Sequence, residues 1–422
     1  MYEKALYNRL LSFLESKSIL IDQQFGFREN YSTYMAVMNM YNGVSAAIDK
    51  KEFAIGLFID LSKAFDSLSH DILLQKLSHY GIRGLALSLF GSYLQNRYQY
   101  VAFNNVTSPL EKITYGVPQG SILGPVLFLI YVNDIVNCSS ILKFVLFADD
   151  TNLYHSDSCW HRLVATLNSE LCELSNWLKS NKLSLNIKKC NYILFGHRKI
   201  PSSNSDLYVM INDHILERVE RTKFLGVIID SKLTWCDHVR YISLKILKGL
   251  GIMYKLRNIF PTRVLLTLYY TLIYPYLSYC TIIWGCANMT VMHKLVVLQK
   301  RAIRLITRSP QHAASDPLFM RLRLLKVYDI FKFQLSIFMF KFIHLHLPVS
   351  FGMYFTFDTA PAYHTRSDKC FLLPAFRTII RENSISVIGP RHWDALPSIV
   401  RDCTGLHSLK REVMSQLISM YS

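Results

Sequence analysis

Two short apolar runs in this chain end on carboxylates, and few folds accommodate that arrangement. Phe53 to Ile59 has the unbroken apolar character of a buried strand, and Asp60 follows at once. Ile141 to Phe147 and Thr151 to Tyr154 read as two more strands, meeting in a hairpin at Asp149-Asp150. Charges flanked by Leu57, Phe58 and Ile59, or by Val145, Leu146 and Phe147, are costly to desolvate unless something offsets them. A pair of divalent ions is one such partner, because a two-metal site needs acidic ligands on rigid backbone, close enough to hold ions roughly 3.5–4 Å apart. Taken alone, Asp149-Asp150 reads better as an ordinary acidic hairpin turn.

Around these runs the pattern alternates helices and strands, then becomes helical. Residues 1–20 predict an amphipathic helix with Leu6, Leu10, Leu11 and Leu14 on one side, and a second helix spans about Ser32 to Ile48. A helix from about Ser62 follows Asp60, carrying Leu68, Ile72, Leu73 and Leu77. Tyr98–Val106 and Leu110–Tyr115 read as strands around Asn104-Asn105. Ser121–Val132 is a buried helix, Trp160–Ser180 an amphipathic one, and Leu185–Phe195 and Lys223–Ile229 are strands. Beyond about Ser231 the reading is helical.

Charge divides at the same place. Of the formal +17, residues 1–230 carry 22 Lys and Arg against 21 Asp and Glu, whereas residues 231–422 carry 25 against 9. The second half is thus a candidate surface for a polyanion, bound by phosphate neutralisation and counterion release; a basic surface kept for solubility is the plainer alternative. The nine cysteines form no zinc-spaced set or disulfide framework, and Met-Tyr-Glu-Lys lacks a signal-peptide layout, so an intracellular protein, not a secreted one, is expected. Val264 to His293 contains no Asp, Glu, Lys or Arg, and by length Val264–Gly285 is a membrane-span candidate. Pro275, the interspersed threonines and the tyrosines spread through its middle favour two buried helices broken near Pro275.

The order of motifs is more specific than any one of them. Phe58-Ile-Asp60-Leu-Ser-Lys-Ala-Phe65-Asp66, then Tyr115-Gly-Val-Pro-Gln119-Gly-Ser121, then Phe147-Ala-Asp149-Asp150 resembles the reverse transcriptase family in sequence and spacing. Leu183-Ser-Leu-Asn-Ile-Lys-Lys189 and Lys223-Phe-Leu-Gly226 extend the match downstream. Gln24-Phe-Gly-Phe-Arg28 and Gly389-Pro-Arg-His-Trp393-Asp-Ala-Leu-Pro397 make the chain similar to polymerases of jockey-type non-LTR retrotransposons.

The resemblance implies an α+β right-hand polymerase fold with an antiparallel palm sheet. Its expected division is partial fingers in 1–53, palm in 54–230 with a fingers segment at about 85–115, a basic helical thumb in 231–310, and a helical C-terminal region in 311–422. It implies RNA-directed DNA synthesis, with RNA template, DNA primer and RNA–DNA duplex, and dNTPs as partners, in the nucleus or cytoplasm. Asp60 and Asp149 become the principal ligands of two Mg2+ ions (Mn2+ being an alternative), with Asp150 the adjacent acid, set farther off by strand alternation. Phe65 takes the position of a steric gate against the ribose 2′-hydroxyl, and Phe65 together with Ala148 separates the chain from RNA-synthesising relatives. Gln119 and Gly120 line the nucleotide and template, Arg28 grips the triphosphate, and Lys189, or Lys188 beside it, protonates pyrophosphate. Phe224, Leu225 and Gly226 correspond to the primer grip. Plainer readings remain for several of these: a core phenylalanine for Phe65, surface charges for Arg28 and Lys189. The family's Arg-Pro-Ile-Ser segment before the first helix does not appear, nor do endonuclease, RNase H or zinc-knuckle patterns, so a piece of a longer polyprotein or a non-catalytic nucleic-acid-binding remnant is the competing expectation.

Overall fold

The computed structural model describes residues 2–196, 198, 200, 207–357 and 370–421, and it divides into two compact units. One comprises Met1–Ser32, Glu52–Leu194 and Arg198–Val219; the other comprises Thr33–Lys51, Phe195–His197 and Glu220–Ser422.

The first unit is built on a five-stranded sheet in the order Glu217–Arg218, Asn191–Phe195, Phe53–Ile59, Asp150–Asp157, Lys143–Phe147. Phe53–Ile59 is central and buried at all seven positions, which is why it reads as an unbroken apolar run. It pairs antiparallel with Asp150–Asp157, from Phe53 opposite Asp157 to Ile59 opposite Thr151. Lys143–Phe147 completes the hairpin, with Phe147 opposite Asp150. Glu217–Arg218 runs parallel to Asn191–Tyr192, so the sheet is mixed and not wholly antiparallel as expected. Trp160–Ser180 packs on Asp150–Asp157, burying Leu163, Leu167, Leu171 and Leu174 at helical spacing. Leu123–Val132 is apolar on every side because nine of its ten residues are buried in the same core.

Several expected elements are shorter than their sequence patterns: the Tyr98–Val106 run is strand only at Arg97–Gln99, Ala102–Phe103 and Val106–Thr107, and the Lys223–Ile229 run turns back on itself as a hairpin. The helix after Asp60 starts at His70, and before it comes a 3-10 turn, Ala64–Asp66, entered through Lys63 at φ 47°. The carbonyls of Phe65 and Leu68 accept instead from the Val117 and Gly116 N–H groups, at 3.0 and 2.8 Å. Tertiary partners thus take the groups a longer helix would use. Similarly, the expected Leu185–Phe195 strand begins as a 3-10 turn at Ile187–Lys189 and becomes a strand at Asn191.

In the second unit, Thr33–Asp49 packs on Ile379–Glu382 and Ile385–Asp394 and does not group with the rest of residues 1–53. The Asp49 carboxylate accepts from the Arg377 and Thr378 N–H groups, both at 2.8 Å, and from the Thr378 hydroxyl at 2.9 Å. These bonds hold the Asp49 carboxyl below its usual range despite some burial. Arg221–Phe224 and Val227–Asp230 form a hairpin, after which the Asp230 carboxylate accepts from the Thr234 and Trp235 N–H groups and launches helix Cys236–Leu256. That helix packs against Met289–Thr307, and Val327–Ile343 against Ile385–Asp394 and Leu406–Ser419. The run from Val264 to Gly285 is covered by three helices where two were expected: Thr262–Leu272, Tyr274–Ser278 and Thr281–Trp284. Pro275 opens the second of these, where its missing N–H costs nothing, and Cys280 at φ 54° separates the second from the third. Among the described residues no helix is long and apolar enough to cross a membrane.

Candidate active site

The register of the central sheet carries the three acids to one end of it. Ile59 pairs with Thr151 in the last rung of the ladder, so Asp60 leaves the central strand at the end where Asp150 enters the neighbouring one. Phe147 pairs with Asp150, leaving Ala148 and Asp149 as the two residues of the turn. Strand alternation is expected to set Asp150 farther off than Asp60 and Asp149. Burial first, and then the neighbouring charges of Asp149 and Asp60, push the Asp150 carboxyl up to about 6.

Asp60 is fixed from the other side by the segment that carries Lys189. The Asp60 carbonyl accepts from the Asn186 N–H at 2.9 Å, the Ser184 carbonyl from the Ser62 N–H at 2.8 Å, and Leu61 bridges Leu185. This pairing delivers Lys189 Nζ to 3.5 Å from Asp60 Oδ2. Both groups face solvent, so the pair adds little to stability.

The Asp149 turn has a support that the motifs alone did not reveal. Ala148, at φ 55° and buried, adopts a left-handed conformation unusual for a residue with a Cβ. Its N–H donates to Gln24 Oε1 at 2.9 Å, and the same oxygen accepts from the Gly26 N–H at 2.8 Å. Phe25 N–H donates to the Leu146 carbonyl, and Leu146 N–H to that of Gln23, at 2.8 and 2.9 Å. The Gln24-Phe25-Gly26 loop is therefore bonded along the hairpin. A Cβ on Gly26 would lie 2.4 Å from Ala148 N. Gly26→Ala is accordingly expected to destabilise the first unit by about 1–3 kcal/mol, measured as a lower denaturant midpoint at unchanged m-value.

The 3-10 turn holds Phe65 and, next to it, the Asp66 that Gln119 reaches. The Phe65 ring stacks on Phe128, centroids 4.5 Å apart, and meets Phe27 edge-on at 6.4 Å. It belongs to this turn, not to an amphipathic helix. Gln119 Nε2 donates to Asp66 Oδ1 at 2.9 Å, tying the Pro-Gln-Gly segment to the residue after Phe65. Gly116, at φ 83°, presses against the Asp66 backbone, where a Cβ would come within 2.8 Å. Gly120 has φ 82° with open space around it, so the turn conformation alone calls for glycine there.

Arg28 points into its own loop. Its guanidinium donates to the Ile21 carbonyl at 2.6 Å and lies 4.1 Å from the Tyr31 ring centre.

In the second unit, Leu225 at φ 45° and Gly226 at φ 82° form the turn of the Arg221–Asp230 hairpin, and Phe224 is buried. Tyr279 donates its hydroxyl to the Leu225 carbonyl at 2.7 Å. From His238 to Ser315 the sequence has no Asp or Glu and 11 Lys and Arg. Within that stretch a cleft of about 760 Å3 is lined by Arg257, Arg301, Arg304 and Arg308 together with Tyr254 and Leu250. Arg304 and Arg308 are held by backbone carbonyls of Ala313 and of Arg257 and Phe260, while Arg257 lies over Tyr254.

Among the described residues no three His, Cys, Asp or Glu side chains close into a ready-made metal cage. Asp60, Asp149 and Asp150 nevertheless offer an all-oxygen donor set, the chemistry hard divalent ions select. The Asp150 carboxyl is raised first by burial and then by the charges of Asp149 and Asp60, and a bound cation would offset both.

Residues 1–229 match the reverse transcriptase (RNA-dependent DNA polymerase) family, and the chain belongs to it. The likeness to jockey-type non-LTR elements read from the motifs is borne out by its relatives. The probable RNA-directed DNA polymerase from transposon BS of Drosophila melanogaster is 29% identical over 343 residues, covering 77% of this chain and 36% of that protein. The RNA-directed DNA polymerase from mobile element jockey of the same organism is 26% identical over 337 residues, covering 78% and 36%. The chain thus spans little more than a third of the length of these relatives. An apo telomerase from Candida tropicalis aligns at 12% identity over 76% of this chain and 52% of that one, with a TM-score of 0.42, too weak a likeness to carry detail.

Proposed function

We propose that this chain is the polymerase region of a non-LTR retrotransposon reverse transcriptase, joining deoxynucleotides to a primer 3′-hydroxyl on an RNA template. The observation that supports this reading most is that Asp60 and Asp150 lie at the same end of two paired strands, with Asp149 on the adjoining turn and Lys189 beside Asp60. Asp60 and Asp149, with Asp150, would hold two Mg2+ ions, Mn2+ serving in their place. When bound, the ions acidify the primer hydroxyl and neutralise charge on the attacked and departing phosphates. Lys189 donates a proton to the leaving pyrophosphate, for which its exposed ammonium next to Asp60 is well placed. Phe65, braced by Phe128, blocks the ribose 2′-hydroxyl, and Gln119, held by Asp66, lines the nucleotide with Gly120. Arg28 grips the triphosphate only after exchanging its Ile21 carbonyl bond for a phosphate.

In this reading residues 54–230 form the palm with a fingers segment at about 85–115, and 1–53 contribute partial fingers. Residues 231–310 are the thumb, Phe224-Leu225-Gly226 is the primer grip, and 311–422 form a C-terminal helical region. The polymerase acts inside the cell, in nucleus or cytoplasm. Purified chain, an RNA template, a DNA primer, dNTPs and Mg2+ are expected to give primer extension. Duplex binding without extension would replace the enzyme with a nucleic-acid-binding remnant.

The acid-free helices and their arginine cleft supply the phosphate contacts to an RNA–DNA duplex. Duplex affinity should fall linearly with log salt concentration. Replacing Arg257 and Arg301 by Ala should lower that slope by about 2, with little change between duplex sequences, in fluorescence anisotropy titrations at several salt concentrations. An unchanged slope would remove the cleft from the binding surface.

A further inference from the structure

We propose that Gln24 is a positioning residue for the acidic turn: its side-chain amide clamps Ala148 in the left-handed conformation that aims Asp149. The proposal rests on the reading of Asp149 as a metal ligand. Gln24 is 2% exposed, and its partner Ala148 is 124 residues away in sequence. One oxygen, Oε1, receives the Ala148 N–H at 2.9 Å and the Gly26 N–H at 2.8 Å, while Nε2 faces the Ala148 carbonyl at 3.5 Å. Both backbone polar groups of Ala148 are thus addressed by a single side chain. A left-handed alanine persists only where its surroundings over-determine it. The backbone bonds from Gln23 and Phe25 to Leu146 leave the amide little freedom to move away. A two-residue turn passes any change in Ala148 φ directly to Asp149, so the clamp acts on the carboxylate without touching it.

Gln24→Met keeps the length and volume of the side chain but removes the acceptor. Direct Mn2+ binding, followed through the paramagnetic resonance signal of free Mn2+, should weaken about tenfold or more, and kcat for primer extension should fall about 10- to 100-fold. The KM for dNTP and the affinity for duplex should stay near their wild-type values. Adding Ala148→Gly to Gln24→Met should restore part of the Mn2+ affinity, because glycine adopts this conformation without a Cβ penalty. A purely structural role would lower the melting temperature and leave Mn2+ affinity unmoved, and that result would overturn the proposal. Asp149→Asn, run in parallel, separates the two layers. Wild-type Mn2+ binding by Asp149→Asn would overturn the ligand reading itself, whereas its loss beside an unaltered Gln24→Met overturns only the clamp. Should Gln24→Met fail to fold, hydrogen exchange on the wild-type chain decides: the Ala148 amide must be protected, and rapid exchange there would overturn the proposal.

Discussion

Asp149→Asn is expected to reduce RNA-templated primer extension by on the order of 10³-fold while leaving the protein folded and its duplex affinity nearly unchanged. The size follows from the several kcal/mol that charge neutralisation at a phosphoryl centre supplies, each 1.36 kcal/mol being tenfold in rate. Asparagine preserves the shape of the side chain and removes only its charge. Asp149 is exposed at the hairpin turn, so stability should change by no more than about 0.5 kcal/mol. The phosphate contacts to the duplex are assigned to other residues, chiefly the arginines lining the cleft beside Tyr254. Single-turnover extension and anisotropy binding on the same preparation check both halves. Equal extension by mutant and parent would sink the assignment of Asp149 and, with it, the metal chemistry.

Phe65→Val is expected to raise the use of ribonucleotides relative to deoxynucleotides by about 10- to 200-fold, the range that steric discrimination in an apolar pocket commands. The Phe65 ring is not free to swing aside, being stacked on Phe128 and met edge-on by Phe27. Removing it opens space where the 2′-hydroxyl would lie. Loss of the stacked pair should also cost about 0.5–1.5 kcal/mol beyond the lost burial, so selectivity must be read as a ratio of kcat/KM values for the two sugars, which cancels general damage. An unchanged ratio would leave Phe65 as a core residue.

The carboxylates were legible because burial on both faces makes a central strand continuous in hydrophobicity, and a charge at its end stands out. Trp160–Ser180 was legible for the complementary reason, one apolar stripe against one core. What escaped is what distant partners impose. Leu68, Ile72, Leu73 and Leu77 hold helical spacing, yet Phe65 and Leu68 give their carbonyls to Val117 and Gly116, so the helix starts at His70. Thr33–Asp49 is apolar around most of its circumference, a pattern that announces burial without naming the neighbour. Its Asp49 finds Arg377 and Thr378 more than 300 residues away. Gln24 sat inside a recognised motif, but its partner lies beyond any local window. Arg28 carries the motif's expected charge while its bonds are spent on its own loop, a matter of rotamer that spacing does not encode.

The ladder between Phe53–Ile59 and Asp150–Asp157 also governs how the protein reaches its native state. Each rung joins positions roughly a hundred residues apart, so the chain must lose considerable loop entropy before any rung forms. The acids therefore cannot assemble from local contacts during early collapse; they are gathered when the hairpin docks against the central strand. A nascent chain released just after Asp150 would carry every one of these carboxylates and hold none of them in place.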